Sequence, residues 1–212
     1  NRGASFHGGI PVCWPQFGNR FSKDLPQHGF ARKMVFEVRG TEYTEEMTEI
    51  TLGIRSSEET LKIWPHEFDL ECKISVSMKL NLELRTRNTG SKPFDFSCGF
   101  HPYFRLRNRD LAYVKGLDGV SYFNGITGCP DEVNVGDFEL KSEVDHIFSL
   151  PEAPRHDAAV IDESLGRAIA MAASGLSKIV VWNPGEKVPA DQEAGDEMKF
   201  VCVEPVSEWP GG

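Results

Sequence analysis

A histidine at the end of a strand-like segment is the first residue in this sequence that could carry out chemistry. The segment runs from Phe94 to Phe104 and reads FDFSCGFHPYF. Its apolar side chains fall on every second position, which is the period of a β-strand with one apolar face, and His101 falls on the other face. We expect Gly99 to leave open space beside the imidazole and Pro102 to end the strand, so that His101 could meet a small ligand.

A carboxylate closes a second strand near the end of the sequence. Phe200–Pro205 reads FVCVEP, and both alternating sets of its side chains are apolar, which predicts a strand covered on both faces. Glu204 is expected at the end of this strand. Partial desolvation there would raise the pKa of its carboxyl group towards the range in which it exchanges protons at neutral pH.

A histidine and a glutamate at two strand ends could act as a general acid and a general base. The spacing alone leaves the alternatives open, namely a hydrogen-bonded surface histidine and an ordinary charged residue at an exposed turn. Cys98 is close to His101 in sequence. The two side chains face opposite ways in a strand, however, which argues against a nucleophilic Cys/His pair.

Cofactor and metal signatures are absent from the sequence. It contains no GxGxxG, GxxxxGK[ST], GxSxG or HExxH motif. No two of the six histidines have the helical or hairpin spacing that favours a metal site. We therefore expect acid and base chemistry that requires no cofactor and no metal.

Short alternating segments predict the elements that must position these side chains. The alternation from Phe68 to Leu84 is too long for one strand, because 17 residues would span about 55 Å. We place a turn at Ser77 to Lys79. Further strands are expected at 50–54, within 113–123, at 144–148, at 158–161 and 167–173 as a hairpin, and at 179–182. Many short strands and no persuasive amphipathic helix predict an all-β, antiparallel β-sandwich.

The composition fits one domain without a basic surface. The 212 residues, 40% of them hydrophobic, suffice for one sizeable core, and we expect a single domain over residues 1–212. The formal net charge of −9 argues against nucleic acid as a partner. The five cysteines are odd in number and lack CxxC spacing, so we expect reduced cysteines in an intracellular protein. No membrane span or signal peptide is recognisable, and we expect a cytoplasmic location, with the plastid left open.

Seven motifs together resemble one family of sugar isomerases. They occur in that family's order and run through nearly the whole sequence: GGIPVCWPQFG (8–18), LPQHGFAR (25–32), IWPHEFDLE (63–71), GFHPYFRL (99–106), EVDHIF (143–148), VVWNP (180–184) and FVCVEP (200–205). The sequence resembles the glucose-6-phosphate 1-epimerases, which are the hexose-phosphate mutarotases within the aldose 1-epimerase family, and is most similar to the plant-type members. This resemblance implies a galactose-mutarotase-like supersandwich. It also implies further strands before the first motif and after the last, so we expect this sequence to be shortened at both ends.

The resemblance implies a role for each candidate residue. In the family, the histidine of the HxYF motif is the general acid on the ring oxygen and the glutamate of the CVEP motif is the general base on the anomeric hydroxyl. These residues are His101 and Glu204 here. His28 and Arg32 match positions that hold the sugar, and Asp145 matches an aspartate that binds sugar hydroxyls. The implied partner is a small sugar phosphate bound by a monomer, with neither nucleic acid nor membrane involved.

From the residues alone, the three binding positions also have simpler interpretations. His28 could be a loop histidine bonded to the backbone, Arg32 could form a surface ion pair, and Asp145 could be an ordinary strand-end aspartate. Arg32 suits phosphate, because a guanidinium offers a fork of donors. Trp14 and Trp182 could stack on a sugar face, although a tryptophan among apolar residues is more often part of a core.

One position departs from the family pattern. The family usually has an arginine directly before the GGIP run, as a phosphate ligand, and this sequence has His7 there. An imidazole that is neutral near pH 7 thus replaces a permanent cation. The loop from Glu186 to Glu197 is also unlike the family's. Three hypotheses follow: a hexose-6-phosphate 1-epimerase, an aldose 1-epimerase for unphosphorylated sugar, and a sugar-binding sandwich without catalysis.

Overall fold

Alternating polar and apolar side chains form short strands throughout the computed structural model, which describes residues 7–19, 22–188 and 191–207. In chain order the strands are β1 (Val12–Cys13), β2 (Glu37–Tyr43), β3 (Thr48–Arg55), β4 (Phe68–Val76), β5 (Leu80–Asn88), β6 (Cys98–Phe100), β7 (Tyr103–Arg105), β8 (Ala112–Lys115), β9 (Ser121–Asn124), β10 (Glu132–Val133), β11 (Phe138–Glu139), β12 (Val144–Ser149), β13 (His156–Asp162), β14 (Arg167–Ala173), β15 (Lys178–Asn183) and β16 (Phe200–Ser207). One α-helix, α1 (Glu58–Ile63), and short 3₁₀ turns complete the described part.

The strands form three sheets in which neighbouring strands run antiparallel. The longest sheet has the order β1-β6-β16-β15-β12-β9-β10, and β7 also pairs with β16. The other two have the orders β11-β8-β13-β14 and β2-β3-β4-β5. The prediction of an all-β, antiparallel sandwich is therefore confirmed.

Two apolar cores lie against these sheets. The first core is shared by the longest sheet and the β11-β8-β13-β14 sheet, and includes Val114, Phe148, Val160, Val181 and Val201. The second core packs the β2-β3-β4-β5 sheet against the first loops of the chain, and includes Trp14, Phe30, Ile54, Trp64 and Phe68. Burial of this apolar surface is the main favourable contribution to the fold.

Two hairpins agree with the sequence prediction. The long alternating stretch turns back between Val76 and Leu80, where the Ser77 N–H donates to the Lys79 carbonyl oxygen over 2.9 Å. The second hairpin joins β13 and β14, with Gly166 at φ 56° in the turn. Glycine tolerates this left-handed conformation better than other residues do.

The helix α1 is the main element that the alternation did not indicate. Ser57 precedes it, and its hydroxyl accepts a hydrogen bond from the Thr60 N–H while the Thr60 hydroxyl accepts one from the Ser57 N–H. This reciprocal capping satisfies donors that a helix N-terminus leaves unpaired. A six-residue helix is too short for an apolar period to stand out in the sequence.

The two strands with candidate catalytic residues differ from the prediction in extent. Residues 94–97 are not in a strand, although Phe94 and Phe96 pack against the second core as the alternation indicated. β16 does not end at Glu204, because Pro205 pairs with Ile179 and the strand continues to Ser207. Glu204 is therefore an interior strand residue, and its strand is covered on both faces as predicted.

Gly99 serves a different purpose from the predicted one. A Cβ atom on this residue would lie 2.9 Å from the Phe17 ring and 3.0 Å from the Pro205 carbonyl oxygen. Real Cβ atoms essentially never approach another atom as closely as 2.9 Å, and 3.0 Å is tighter than most of their contacts. Glycine at position 99 therefore permits close packing of β6, and the expected open space beside His101 is absent.

Two observations concern the predictions of reduced cysteines and of no membrane span. All five cysteines are free; Cys13, Cys72 and Cys202 are buried, Cys98 is partly buried and Cys129 is exposed. In the described ranges no helix has both the length and the apolarity needed to span a membrane.

Candidate active site

The outer face of the longest sheet brings the candidate residues together. On β16, Val201 and Val203 belong to the first core, so Cys202 and Glu204 lie on the opposite face. Both are fully enclosed, with exposed fractions of 0% and 1%. A polar group at such depth requires a partner or a task.

A row of directly opposed residues crosses four strands on this face. Asp145 on β12 lies opposite Trp182 on β15, Trp182 lies opposite Cys202, and Cys202 lies opposite Tyr103 on β7. Directly opposed side chains have Cβ atoms about 4.5–5.5 Å apart. The register therefore places an aspartate, two aromatic rings and a thiol side by side.

His101 lies next to this row, in the link between β6 and β7. Its N–H donates to the Pro11 carbonyl oxygen over 3.0 Å, and its ring stacks on Tyr103 with centroids 4.9 Å apart and planes at 8°. His28 and Trp182 approach with centroids at 5.4 and 6.1 Å. These contacts leave His101 only 7% exposed, so packing fixes the orientation of its ring.

The imidazole and the carboxyl group of the candidate pair face each other. His101 Nε2 lies 3.5 Å from Glu204 Oε1. Two further atoms of the pair, His101 Nδ1 and Glu204 Oε2, are buried without a hydrogen-bond partner among the described residues. Buried polar atoms normally have partners, so this unsatisfied capacity marks the pair as a place where a polar ligand can bind.

Burial shifts both groups of the pair towards their uncharged forms. Desolvation, with a smaller effect from the charge of Asp145, raises the pKa of Glu204 well above its ordinary value. Desolvation, followed by the proximity of His28, lowers the pKa of His101 to about 3. Perturbed pKa values of opposite sign in adjacent groups are typical of acid and base sites.

His28 approaches His101 from a glycine-rich loop. Its backbone has φ 61°, an uncommon value for a residue with a side chain, and its N–H donates to the Gly18 carbonyl oxygen over 2.7 Å. The Gly18 N–H donates in turn to His28 Nδ1 over 3.3 Å, which leaves Nε2 to carry the proton of the neutral ring. Burial, followed by the charge of Arg32, lowers the pKa of His28 to about 4.

Arg32 supplies positive charge next to the pair. It lies in a 3₁₀ turn, Ala31–Lys33, and its Nη2 donates to the Gln27 carbonyl oxygen over 3.0 Å. Its Nε is buried and has no acceptor within the described ranges. Its charge opposes the rise in the pKa of Glu204, so Arg32 is near enough to interact with an anionic group in the site.

His7, which departs from the family pattern, is held by an aspartate of the later loop. The His7 N–H donates to Asp191 Oδ2 over 2.7 Å, and His7 Nδ1 lies 2.5 Å from Asp191 Oδ1. The His7 ring stacks against Trp182 with centroids 6.4 Å apart and planes at 24°. Burial raises the pKa of Asp191, but hydrogen bonds from His7 lower the pKa overall, so Asp191 is a carboxylate. We refer to His7 and Asp191 as the rim of the site.

Arg109 is a buried support that the sequence analysis did not identify. Its Nη1 donates to Asn183 Oδ1 over 3.0 Å and to the Gly185 carbonyl oxygen over 3.2 Å. Asn183 donates onward to the carbonyl oxygens of Glu197 and Phe200. These bonds fix the turn directly after Trp182, and no sequence pattern indicates such a long-range partnership.

The structure thus assembles most of the residues that the sequence singled out. His101, Glu204, His28 and Trp182 meet through measured contacts, and the charges of Arg32 and Asp145 act on Glu204. The sequence analysis missed Tyr103 and Cys202 as parts of this site. Both occupy alternate positions next to a named residue, Tyr103 two after His101 and Cys202 two before Glu204, and the strand period could have identified them.

A metal-ligand set occurs within the same group. One ligand atom each from His101, Cys202 and Glu204 lies within 4.8 Å of the other two. The histidine spacing used in the sequence analysis could not indicate this set, because it contains one histidine and two residues from another strand.

Comparison with known proteins places this geometry in a family. The family model described as aldose 1-epimerase matches residues 1–212. A protein of Cenchrus ciliaris named "putative glucose-6-phosphate 1-epimerase" is 32% identical over 216 residues, covering 96% of this chain and 64% of the relative. A protein of Escherichia coli K12 with the same name is 30% identical and is covered over 67% of its length. The chain therefore spans about two thirds of these relatives, and slightly less of the first.

Solved structures agree on the fold. The Salmonella typhimurium protein described as "putative mutarotase (YeaD)" superimposes with a TM-score of 0.87 at 27% identity, over 98% of this chain and 69% of that chain. A galactose mutarotase-like protein of Lactobacillus casei gives a TM-score of 0.74 at 21% identity, over 93% and 72% of the two chains. The predicted galactose-mutarotase-like fold is therefore confirmed.

Proposed function

This chain belongs to the aldose 1-epimerase family, and on that premise we propose that it interconverts the α and β anomers of a hexose 6-phosphate. The observation that carries the proposal is the buried pair, with His101 Nε2 and Glu204 Oε1 3.5 Å apart. The names of the relatives support a phosphorylated hexose as the substrate. The reaction requires only proton transfers, and the pair offers one group for each transfer.

The proposed reaction opens and recloses the sugar ring. Glu204 takes the proton of the C1 hydroxyl while protonated His101 gives a proton to the ring oxygen, and the bond between C1 and the ring oxygen breaks. The open-chain aldehyde then rotates about its C1–C2 bond. The ring oxygen attacks the other face of C1, its proton returns to His101, and Glu204 returns a proton to the new C1 hydroxyl.

The pKa shifts favour the intermediate stage of this cycle. Before ring opening, the pair consists of a carboxylate and an imidazolium; after it, the pair consists of a carboxylic acid and a neutral imidazole. Burial raises the pKa of Glu204 and lowers that of His101, so the low-dielectric site stabilises the uncharged pair. The surroundings therefore favour both proton transfers that accompany ring opening, and they disfavour the charged pair from which these transfers start.

The neighbouring side chains would orient the sugar. Neutral His28 can donate from Nε2, and Arg32 has an Nε–H without an acceptor among the described residues. Asp145 offers carboxylate oxygens, which bind sugar hydroxyls. Trp182 provides an aromatic face beside His101, with centroids 6.1 Å apart. Such positioning contributes to rate because it holds the reacting atoms together.

A second candidate substrate is an unphosphorylated aldose. The observation in its favour is the His7–Asp191 contact, in which His7 Nδ1 lies 2.5 Å from a carboxylate oxygen. A phosphate group brought to this rim would be repelled by Asp191, whereas a neutral hydroxyl could donate to it. A phosphate could still interact with Arg32, whose charge acts on Glu204.

The test of catalysis is anomer exchange followed by NMR saturation transfer between the α and β signals. The parent protein is expected to accelerate exchange of glucose 6-phosphate, and Glu204→Gln is expected to lower the rate about 10²- to 10⁴-fold. Glu163→Gln, at an exposed turn between β13 and β14, is the control and should match the parent. Equal rates for Glu204→Gln and the parent would show that Glu204 is not the base.

The test of substrate class compares kcat/KM for glucose 6-phosphate and for glucose. A preference for the phosphorylated sugar supports the first candidate, and a preference for glucose supports the second. Asp191→Asn should shift the ratio towards the phosphorylated sugar, because it removes the repulsive charge and keeps the shape. Sugar binding without accelerated exchange would overturn both enzymatic proposals in favour of a binding protein.

A further inference from the structure

Three different metal-binding groups meet on the outer face of the longest sheet. The His101 imidazole, the Cys202 thiol and the Glu204 carboxyl group each place one ligand atom within 4.8 Å of the other two. Their exposed fractions are 7%, 0% and 1%. Imidazole, thiolate and carboxylate are the three side-chain groups that bind Zn²⁺ in proteins, and a buried set excludes most competing water.

The measured separation fits two ligands of one tetrahedral ion. Ligand atoms about 2.0–2.2 Å from Zn²⁺ lie roughly 3.4 Å from each other in a tetrahedral site. His101 Nε2 and Glu204 Oε1 are 3.5 Å apart, longer than an ordinary hydrogen bond between such atoms. The second carboxylate oxygen, Oε2, has no hydrogen-bond partner in the described part of the chain although it is buried. A cation would satisfy this oxygen.

The strands hold the three groups in place before any ion arrives. Cys202 and Glu204 are two residues apart on β16, so their side chains lie on one face. Cys202 pairs with Tyr103, and the Tyr103 ring stacks on His101. Cys202 and Glu204 are fixed by β16 and His101 by its packing, so the three ligands lose little freedom on binding, which favours affinity.

We propose that His101 Nε2, Cys202 Sγ and the Glu204 carboxylate bind one thiophilic divalent cation, such as Zn²⁺, and that this ion excludes the sugar from the same atoms. Three protein ligands leave the fourth coordination position of a tetrahedral ion open. The thiol selects Zn²⁺ over the harder cations Mg²⁺ and Ca²⁺. The binding claim stands on the ligand geometry, whereas the exclusion of sugar rests on the proposed function.

The experiment titrates the purified, tag-free protein with Co²⁺, which reports thiolate ligation by a charge-transfer band in the near ultraviolet. One equivalent is expected to produce the band, and Zn²⁺ should displace it. Cys202→Ser is expected to abolish the band and to weaken Zn²⁺ binding, measured by calorimetry, at least about tenfold. Cys72→Ser, a buried cysteine of β4, and Cys129→Ser, an exposed one, are the controls and should behave like the parent.

The outcomes separate the metal site from the enzymatic activity. The proposed metal site is wrong if the folded parent shows no band with Co²⁺. It is also wrong if Cys129→Ser loses the band and Cys202→Ser keeps it. If Cys202→Ser does not fold, as judged by circular dichroism, Cys202→Ala is used, and the imidazole NMR signals of the parent provide the second measurement. If one equivalent of Zn²⁺ does not shift the NMR signals of His101, the proposed metal site is wrong.

The effect on activity is tested separately. If Zn²⁺ binds but anomer exchange is unchanged, the ion does not exclude the sugar. If the protein does not accelerate exchange even without Zn²⁺, only the proposed function is contradicted.

Discussion

Burial of the Glu204 carboxyl group opposes folding of this protein. Its carboxyl group is 1% exposed, and one of its oxygens has no partner among the described residues. Desolvation, with a smaller effect from Asp145, raises its pKa. A residue that opposes folding in this way is typical of a functional site, where the local cost is offset by the rest of the core.

We expect Glu204→Gln to stabilise the fold at neutral pH. The pKa of Glu204 is raised in the folded state, so its contribution to stability is complete below the unfolded pKa of about 4.5 and decreases as the pH rises towards the folded value. A glutamine is not subject to this decrease. At pH 7 Glu204→Gln should therefore have a larger free energy of unfolding than the parent.

Urea unfolding at several pH values measures this effect. The difference in unfolding free energy between Glu204→Gln and the parent should be small near pH 4 and should grow as the pH rises. Glu163→Gln changes an exposed residue and should show no such trend. A constant difference across this range would contradict a raised pKa for Glu204.

At the scale of single residues, the strand period singled out His101 and Glu204 as candidates because it needs only local sequence. It could not show that they face each other at 3.5 Å, since that depends on the pairing of distant strands. The role of Gly99 was misread for the same reason: the atoms that crowd it belong to Phe17 and Pro205. Long-range packing is not encoded in any one segment.

Among the elements, the loop that carries His28 and Arg32 is fixed by a close backbone approach. The Trp14 carbonyl oxygen accepts hydrogen bonds from the N–H groups of Phe30 and Ala31. A Cβ atom on Gly29 would lie 2.0 Å from that oxygen. Only glycine allows the loop to come this close to the strand before it.

We expect Gly29→Ala to displace this loop. The backbone of Gly29 has φ 68°, and that of Gly119 has φ 71° with no atom within 4 Å of its Cβ position. Both alanine substitutions incur the same left-handed strain, about 1–2 kcal/mol, but only Gly29→Ala adds a backbone clash, worth about 1–3 kcal/mol more.

Thermal unfolding and anomer exchange measure the two consequences. Gly29→Ala should unfold at a temperature lower than that of Gly119→Ala by about 2–4 °C for each additional kcal/mol. It should also exchange anomers about tenfold to a hundredfold more slowly, because the groups that we propose to orient the sugar move. Equal melting temperatures for the two variants would show that the loop adapts without strain.

The elements themselves were predictable to different degrees. The hairpins β4–β5 and β13–β14 were indicated because their strands are long and alternate regularly. The end of β16 was misplaced, because a proline usually ends a strand and here Pro205 pairs with Ile179. Residues 94–97 alternate like a strand but pack on a core without strand partners, which only the tertiary structure decides.

Over the whole molecule, the β2-β3-β4-β5 sheet has an apolar surface that the second core covers only in part. A groove of about 290 Å³ remains, lined by Ile10, Val12, Phe36, Leu52, Cys72, Ile74, Leu80, Leu82 and Phe100. Leu80 is 53% exposed and lies on β5, an edge strand of this sheet. No other described strand pairs with the outer edge of β5, and an apolar groove beside such an edge favours self-association.

We expect Leu80→Lys to reduce binding of an apolar fluorescent dye. A charged ammonium at the groove makes it unsuitable for an aromatic dye and also discourages strand pairing at the edge. Leu165→Lys, at a turn residue that is 47% exposed, is the control. Dye fluorescence should fall at least about twofold for Leu80→Lys and should stay near the parent value for the control. Equal fluorescence in all three proteins would place the dye elsewhere.

One strand of the longest sheet connects the parts of the site with each other. β16 carries Glu204 and hydrogen-bonds to β6, β7 and β15, which lead to His101, Tyr103 and Trp182. His7 and Asp191, in contrast, lie outside the strands. Mutation can therefore alter the rim while the sheet preserves the distance between His101 and Glu204. Under the proposed function, duplicated copies of such a gene can diverge in the sugars that they accept and keep the same pair of proton-transfer groups.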